Sequence, residues 1–311
     1  MAGLYPIAVL LLLGVAVGVA LRPVRSLGPL STSEAWLAAV RHARRVATVA
    51  WTVLLGTQLV ALFGASTILH GFEVGLIPTS AGLAFLAVLA VGELTWPRPT
   101  GTVRRAPLAR RGLRDLAPAG LVRLVASCTA ALGVLLVVCG VAADADGRSL
   151  TWRLSESASS GAGPFPGWYY GVPLGLGALV VLVAGVGVLA LVARRPAVSD
   201  AAPSDDTALR RLSARRLLGG VQLVLAWTLA GCLFYAADAL RRTQEGPFDG
   251  IQLGSPVLVG LAMAGMFAAP VLVVVGAVVA WRSAGAPRRA HESADQSVES
   301  AGRPSTQPQT A

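Results

Sequence analysis

The sequence contains no lysine and no asparagine; all 26 basic residues are arginine, and isoleucine occurs only at Ile7, Ile68, Ile77 and Ile251. Without lysine there can be no retinal or pyridoxal Schiff base and no Walker-type phosphate lysine. Without asparagine there is no N-glycosylation acceptor. The bias follows codons rather than folding physics and marks a GC-rich genome. Charge is also scarce, at 14% of residues, against 54% apolar residues and a mean hydropathy of +0.66. A soluble domain of 311 residues cannot bury so much apolar surface, whereas a bilayer solvates it. The net charge of +10 is carried by arginines between apolar runs, so it reads as a topology signal, not as a nucleic-acid surface.

Metal and nucleophile chemistry are equally thin. The three histidines stand far apart at His42, His70 and His291, so a multi-histidine site within one protomer is not expected. Cys128, Cys139 and Cys232 fall inside apolar runs at no metal-ligating spacing. Cys128 and Cys139 share a helix face but sit about 16 Å apart along it, so they read as small buried hydrophobes. There is no HExxH and no nucleophile elbow. Ser66 and His70 are four apart, yet Ser66 lacks the surroundings of a protease serine. The DADG run from Asp144 to Gly147 lacks the remaining ligands of a calcium loop and reads as an exposed turn. An enzyme is therefore not expected, nor any cofactor.

Crossing a ~30 Å hydrocarbon core takes about 20 apolar residues in a helix. Seven runs qualify, at about 4–21, 46–69, 79–96, 122–143, 168–193, 217–238 and 254–281. The first has no positive charge before it and Arg22 and Arg25 after it, the pattern of an anchor with its N-terminus outside; cleavage would leave six spans. Segments 22–45, 97–123, 194–216 and the tail from 282 hold 5, 7, 6 and 4 arginines, and the intervening loops 0, 2 and 2. That alternation puts the rich set in the cytoplasm, N-terminus outside and C-terminus inside. The fold class is thus all-α, a polytopic transmembrane helix bundle over 1–281, followed by a disordered cytoplasmic tail at 282–311. Ser31 and Glu34 have capping-box spacing and predict a helix running into the second span, with Trp36, Leu37 and Val40 on one side. The stretch 196–206 reads as a polar linker.

One pattern recurs. GPFPGWYYGVPLGLG begins at Gly163 and GPFDGIQLGSPVLVG at Gly246, and they share Gly, Pro and Phe positions at an offset of 83 residues. The matching residues are Pro164 and Pro247, Phe165 and Phe248, Gly167 and Gly250, Gly171 and Gly254, Pro173 and Pro256. Proline and glycine at these points are turn chemistry, the later prolines suit a first helical turn, and glycines four apart permit close helix approach. Trp168, Tyr169 and Tyr170 fit an interfacial aromatic belt. Both copies lead into inward-going spans, so the repeat is read as parallel: hairpins 122–193 and 217–281, with 46–96 a diverged third. A repeated lead-in motif and a repeated binding site near the outer surface both remain open.

The stretch PGWYYGVP from Pro166 to Pro173, with the Gly-rich apolar helix after it and the Arg-rich loops, resembles uncharacterised polytopic membrane proteins of high-GC Gram-positive bacteria. The resemblance implies a plasma-membrane location and carries no activity.

Ionisable groups within a membrane are costly and point to function. Glu93 is the strongest candidate, either as a coupling carboxylate or as a structural partner of an arginine such as Arg98 or Arg104. Gln58 and Gln222 read as cross-helix bonding groups. Two functions follow. The first is a non-enzymatic scaffold or accessory subunit, with the lipid bilayer and another membrane protein or a second copy as partners, and room for anionic lipid at the Arg-rich segments. The second is a small-solute transporter or permease-type component, resting on the repeat and on Glu93.

Overall fold

The computed structural model describes residues 33–64, 72–97, 116–153, 159–198, 203–244 and 254–285. Helix takes 84% of them, so the chain is a helical bundle. The helices are α1 (Glu34–Gly64), α2 (Phe72–Leu94), α3 (Ala119–Ala142), α4 (Trp168–Arg194), α5 (Pro203–Gln244) and α6 (Pro256–Ala284). Between α3 and α4 lies an antiparallel hairpin of β1 (Leu150–Arg153) and β2 (Ser159–Ala162), a small β element that the all-α expectation did not include.

Among the described residues, five helices are long and apolar enough to cross a membrane: α3, α4, α5, α6 and Val74–Leu94 of α2. They coincide with the last five expected spans. The expected run 4–21 lies outside the described residues, and 46–69 falls on α1 and then passes out of them at Gly64.

The layout follows from α5. Its 42 residues make a rod of about 63 Å, roughly twice the hydrocarbon thickness. Most of its apolar window is buried, whereas the other four crossing helices bury a third or less of theirs. Helices α2, α3, α4 and α6 all pack against it, and α6 touches mainly this one partner. A membrane supplies no hydrophobic drive between helices, so they associate by close packing. That packing forms one main core, in which Trp51 and Leu54 of α1, Phe85 of α2, Leu132 of α3, Val181 of α4 and Leu225 of α5 are nearly inaccessible. Outward faces are apolar as well, with Val141, Val257 and Phe267 each more than two-thirds exposed, the signature of surface meant for lipid.

Several local expectations change. Residue Ser31 lies outside the described residues; α1 starts at Glu34, and Ser33 Oγ accepts from the Trp36 amide at 3.2 Å. Trp36 is buried against Trp96 and Leu209, but Leu37 points outward. The 196–206 stretch is a linker only in part. Pro203 opens α5, and Asp205 and Asp206 in its first turn are buried. Carboxylates there suit the positive end of the helix dipole. The C-terminal boundary also moves slightly, because α6 runs to Ala284; the tail beyond Gly285 lies outside the described residues.

The two copies of the Gly-Pro-Phe motif do not start their helices at equivalent points. Helix α4 begins at Trp168, so Pro173 lies inside it, past the first turn, where it removes one helical hydrogen bond. Helix α6 begins five positions later in the alignment, with Pro256 as its first residue, as expected. Gly171 faces Leu136 of α3, whereas its counterpart Gly254 precedes α6 and donates its amide to the Gln244 carbonyl at 3.1 Å. Pro247, Phe248 and Gly250 lie outside the described residues.

Candidate functional site

Polar groups gather at the two ends of the bundle. At the arginine-rich end, where α1 starts and α2 and α4 finish, Glu93 of α2 meets Arg195, the residue after α4, at 3.5 Å. Arg195 is thus the partner that sequence reasoning assigned to Arg98 or Arg104, both outside the described residues. Nothing in the spacing of 102 positions marks the pair; only the parallel run of α2 and α4, which finish side by side, brings it together.

Arg195 stacks its guanidinium 4.0 Å from the Trp96 ring centre and donates to Ser213 Oγ at 3.4 Å. Cation–π contact of this kind supports a cation that has lost its water. Burial pushes the Arg195 guanidinium down to about 10, and the charge of Glu93 opposes that shift, so it stays protonated at neutral pH. His42 Nε2 donates to the Gly92 carbonyl at 2.9 Å and its ring meets Trp96 edge-on. Beside these groups lies a cavity of ≈ 20 Å³, lined by His42, Glu93, Trp96, Ser213 and Arg216 among others. A void needs about 10–15 Å³ to hold one water, so this one takes a single molecule. Glu93 Oε2 is buried with no hydrogen-bond partner, and one water there would satisfy it.

Immediately outside this cluster, Arg210 acts as a structural clamp. Its Nε donates to Asp206 Oδ2 at 2.8 Å, Nη1 to the Val192 and Ala193 carbonyls at 3.0 and 2.9 Å, and Nη2 to the Arg195 carbonyl at 2.8 Å. The last carbonyls of a helix have no donor of their own, and one side chain from α5 supplies several for α4. Sequence reading missed this pair. Its available signal was the i, i+4 spacing of Asp206 and Arg210, which usually denotes a surface pair.

The opposite end carries the hairpin and the first Gly-Pro-Phe copy. In the DADG turn, Gly147 has φ +66°, and Asp146 Oδ1 accepts from the amides of Arg148 and Ser149 at 3.0 Å each. These bonds, the Arg148 amide first and then the Ser149 hydroxyl, hold the Asp146 carboxyl below the usual range. No metal-holding cluster of His, Cys, Asp or Glu occurs among the described residues. Gly167 is a packing position: a Cβ there would collide with Ala143 Cβ and the Gly147 carbonyl. Phe165 is buried with Leu150 and Cys139, and the exposed Pro164 precedes it in the chain, next to Gly163. Trp168 and Tyr169 are half-exposed on the outer turn of α4, consistent with an interfacial belt.

Midway between the ends there is no charge among the described residues. Gln222 of α5 reaches the Cys128 thiol of α3, a cross-helix contact of the expected kind, and Gln58 is buried. The cysteines are all free and buried. Ser66 and His70 lie outside the described residues.

Fold and site together define a class, the multi-pass helical membrane protein, built around one central buried helix. No protein-family model, curated protein or solved structure matches the chain.

Proposed function

We propose that the chain is a non-enzymatic membrane scaffold or accessory subunit, threaded seven times through a bacterial plasma membrane with its N-terminus outside. One observation carries the reading: the middle of the bundle around α5 is filled by apolar side chains, with the charged groups confined to its two ends. A path for a polar solute needs polar wall along the whole thickness, and among the described residues only isolated groups such as Gln58 and Gln222 interrupt this apolar core. The Glu93–Arg195 pair then serves to hold the α2 and α4 ends together, and the lipid-facing surfaces of α3 and α6 offer area to another membrane protein or a second copy. Arginines at the same end suit anionic lipid headgroups, and no nucleic-acid role is needed to explain them.

Native mass spectrometry of the protein extracted in its own lipid patches tests this. A second polypeptide, or a second copy, retained in fixed ratio supports the scaffold. Lone protomers under gentle extraction refute it.

The transporter reading keeps one specific support, the partnerless Glu93 Oε2 beside a water-sized cavity. It requires Glu93→Gln to abolish solute-driven uptake or a solute-dependent shift in melting temperature. Unchanged uptake and an unchanged shift in that variant would remove the carboxylate-coupled form.

A further inference from the structure

The larger cavity of the described residues lies at the hairpin end and has a volume of ≈ 160 Å³. Three elements and a loop enclose it: Gly75 and Pro78 of α2, Pro164–Pro166, Tyr170 of α4, and Trp227 with Gly231 of α5. Among the described residues its wall holds four aromatic rings, those of Phe165, Tyr170, Trp227 and Tyr235, and no charged side chain. The polar side chains on this wall are those of Tyr170, Tyr235, Trp227, Cys232 and Thr228, whose hydroxyl donates to the Val224 carbonyl and keeps its oxygen as an acceptor.

Size and chemistry both narrow the occupant. A dry cavity of about 150 Å³ with an apolar lining takes up a benzene-sized molecule. The described wall favours a neutral occupant, since none of its side chains carries a charge to replace an ion's hydration. Aromatic walls favour a ring, through offset or edge-on contacts with ring centres about 4.5–7 Å apart. A flexible acyl chain gains no such contacts and loses more rotational freedom on entering. The few hydroxyls suit one hydrogen-bonding oxygen on the ring. The first Gly-Pro-Phe copy acquires a purpose here, because Pro164, Phe165 and Pro166 form one wall.

We infer that this cavity is a binding site for one neutral, six-membered-ring molecule carrying a single hydroxyl or carbonyl group, either free or as the head of a lipid. The inference stands independently of the scaffold reading, since a ring can be held whether or not a second protein is bound.

Two glycines make the test clean. A Cβ at Gly231 meets nothing within 4 Å, and one at Gly75 makes only an ordinary 3.4 Å contact with Leu174. Gly231→Leu and Gly75→Val therefore fill the cavity from opposite walls. The probe is 4-fluorophenol, followed by ¹⁹F NMR with the full chain in lipid nanodiscs, and empty nanodiscs report partitioning into lipid. The expected result is a saturable bound signal at one ring per chain, weakened at least tenfold in both variants. Gly187→Leu is the control, because Gly187 is exposed with open space around it, and it keeps the signal. Phenol displacing the probe at bilayer concentrations as low as those of 4-octylphenol supports a free ring as occupant; 4-octylphenol displacing it at clearly lower bilayer concentrations supports the same site with a lipid-borne ring. Binding no greater than in empty nanodiscs overturns the inference. So does full binding in either filled variant, which keeps the test decisive should the other fail to fold.

Discussion

Arg210→Met is the most informative single substitution in this protein. The side chain is 2% exposed; three of its four hydrogen bonds tie α5 to the end of α4, and the fourth holds Asp206 on its own helix. Methionine keeps most of the volume and removes the charge and every donor. Asp206, itself 2% exposed, then loses its 2.8 Å ion pair, and the carbonyls of Val192, Ala193 and Arg195 lose donors. Removing one partner of a buried ion pair costs about 3–5 kcal/mol, mostly because the remaining charge is stranded. At about 2–4 °C per kcal/mol for a chain of this general size, the melting temperature should fall by about 6–20 °C. The three buried free cysteines provide the assay, since a thiol-reactive dye labels them only as the bundle opens. Arg123→Met is the control: that residue is exposed, and surface changes stay within about 0.5 kcal/mol. Adding Asp206→Asn to Arg210→Met should recover part of the loss by removing the stranded charge. A melting temperature for Arg210→Met equal to that of Arg123→Met would refute the clamp.

Other expectations follow the same physics. Glu93→Gln should lower stability by about 1–3 kcal/mol in a nanodisc melt, the range for a hydrogen bond to a charged group; no change would show that Arg195 is held by Trp96 and Ser213 alone. Gly167→Ala should destabilise by about 1–3 kcal/mol, because the obstructing atoms include the Gly147 backbone, while Gly187→Ala should be neutral or slightly stabilising. Comparing their melts checks both. The Asp146 carboxyl is held below its ordinary value, so its turn contributes fully above that value and loses the contribution as pH falls through the lowered one. The amide NMR shifts of Arg148 and Ser149 should therefore hold steady from neutral down to about pH 4, the ordinary aspartate value, and move only below it. A transition centred above that value would be inconsistent with the bonds described.

The crossing helices were legible because the signal is local: about 20 apolar residues in a row need no knowledge of their neighbours. Glycine and proline were also legible as punctuation, and Pro256 does begin α6. The same signals misled where neighbours decide. Two stretches that match at Pro173 and Pro256 begin their helices five positions apart. In the first copy, Trp168 to Tyr170 continue the helix backward over the turn at Gly147, where the Tyr169 amide bonds the Gly147 carbonyl at 3.0 Å. Asp205 and Asp206 looked like linker because polarity was read as exposure. For Asp206 the reason is plain in the packing: its partner Arg210 lies on the same helix, but the burial of both comes from the end of α4.

What the sequence determined by itself was therefore the medium and the segments: apolar runs, their lengths, and the lack of lysine. Which helix stands in the centre, which arginine Glu93 meets, and where a ring-sized cavity opens were decided only in three dimensions. Helices in lipid all look alike along the chain, because every outward face is apolar; they differ only in which small residues and which ends come into contact when they pack.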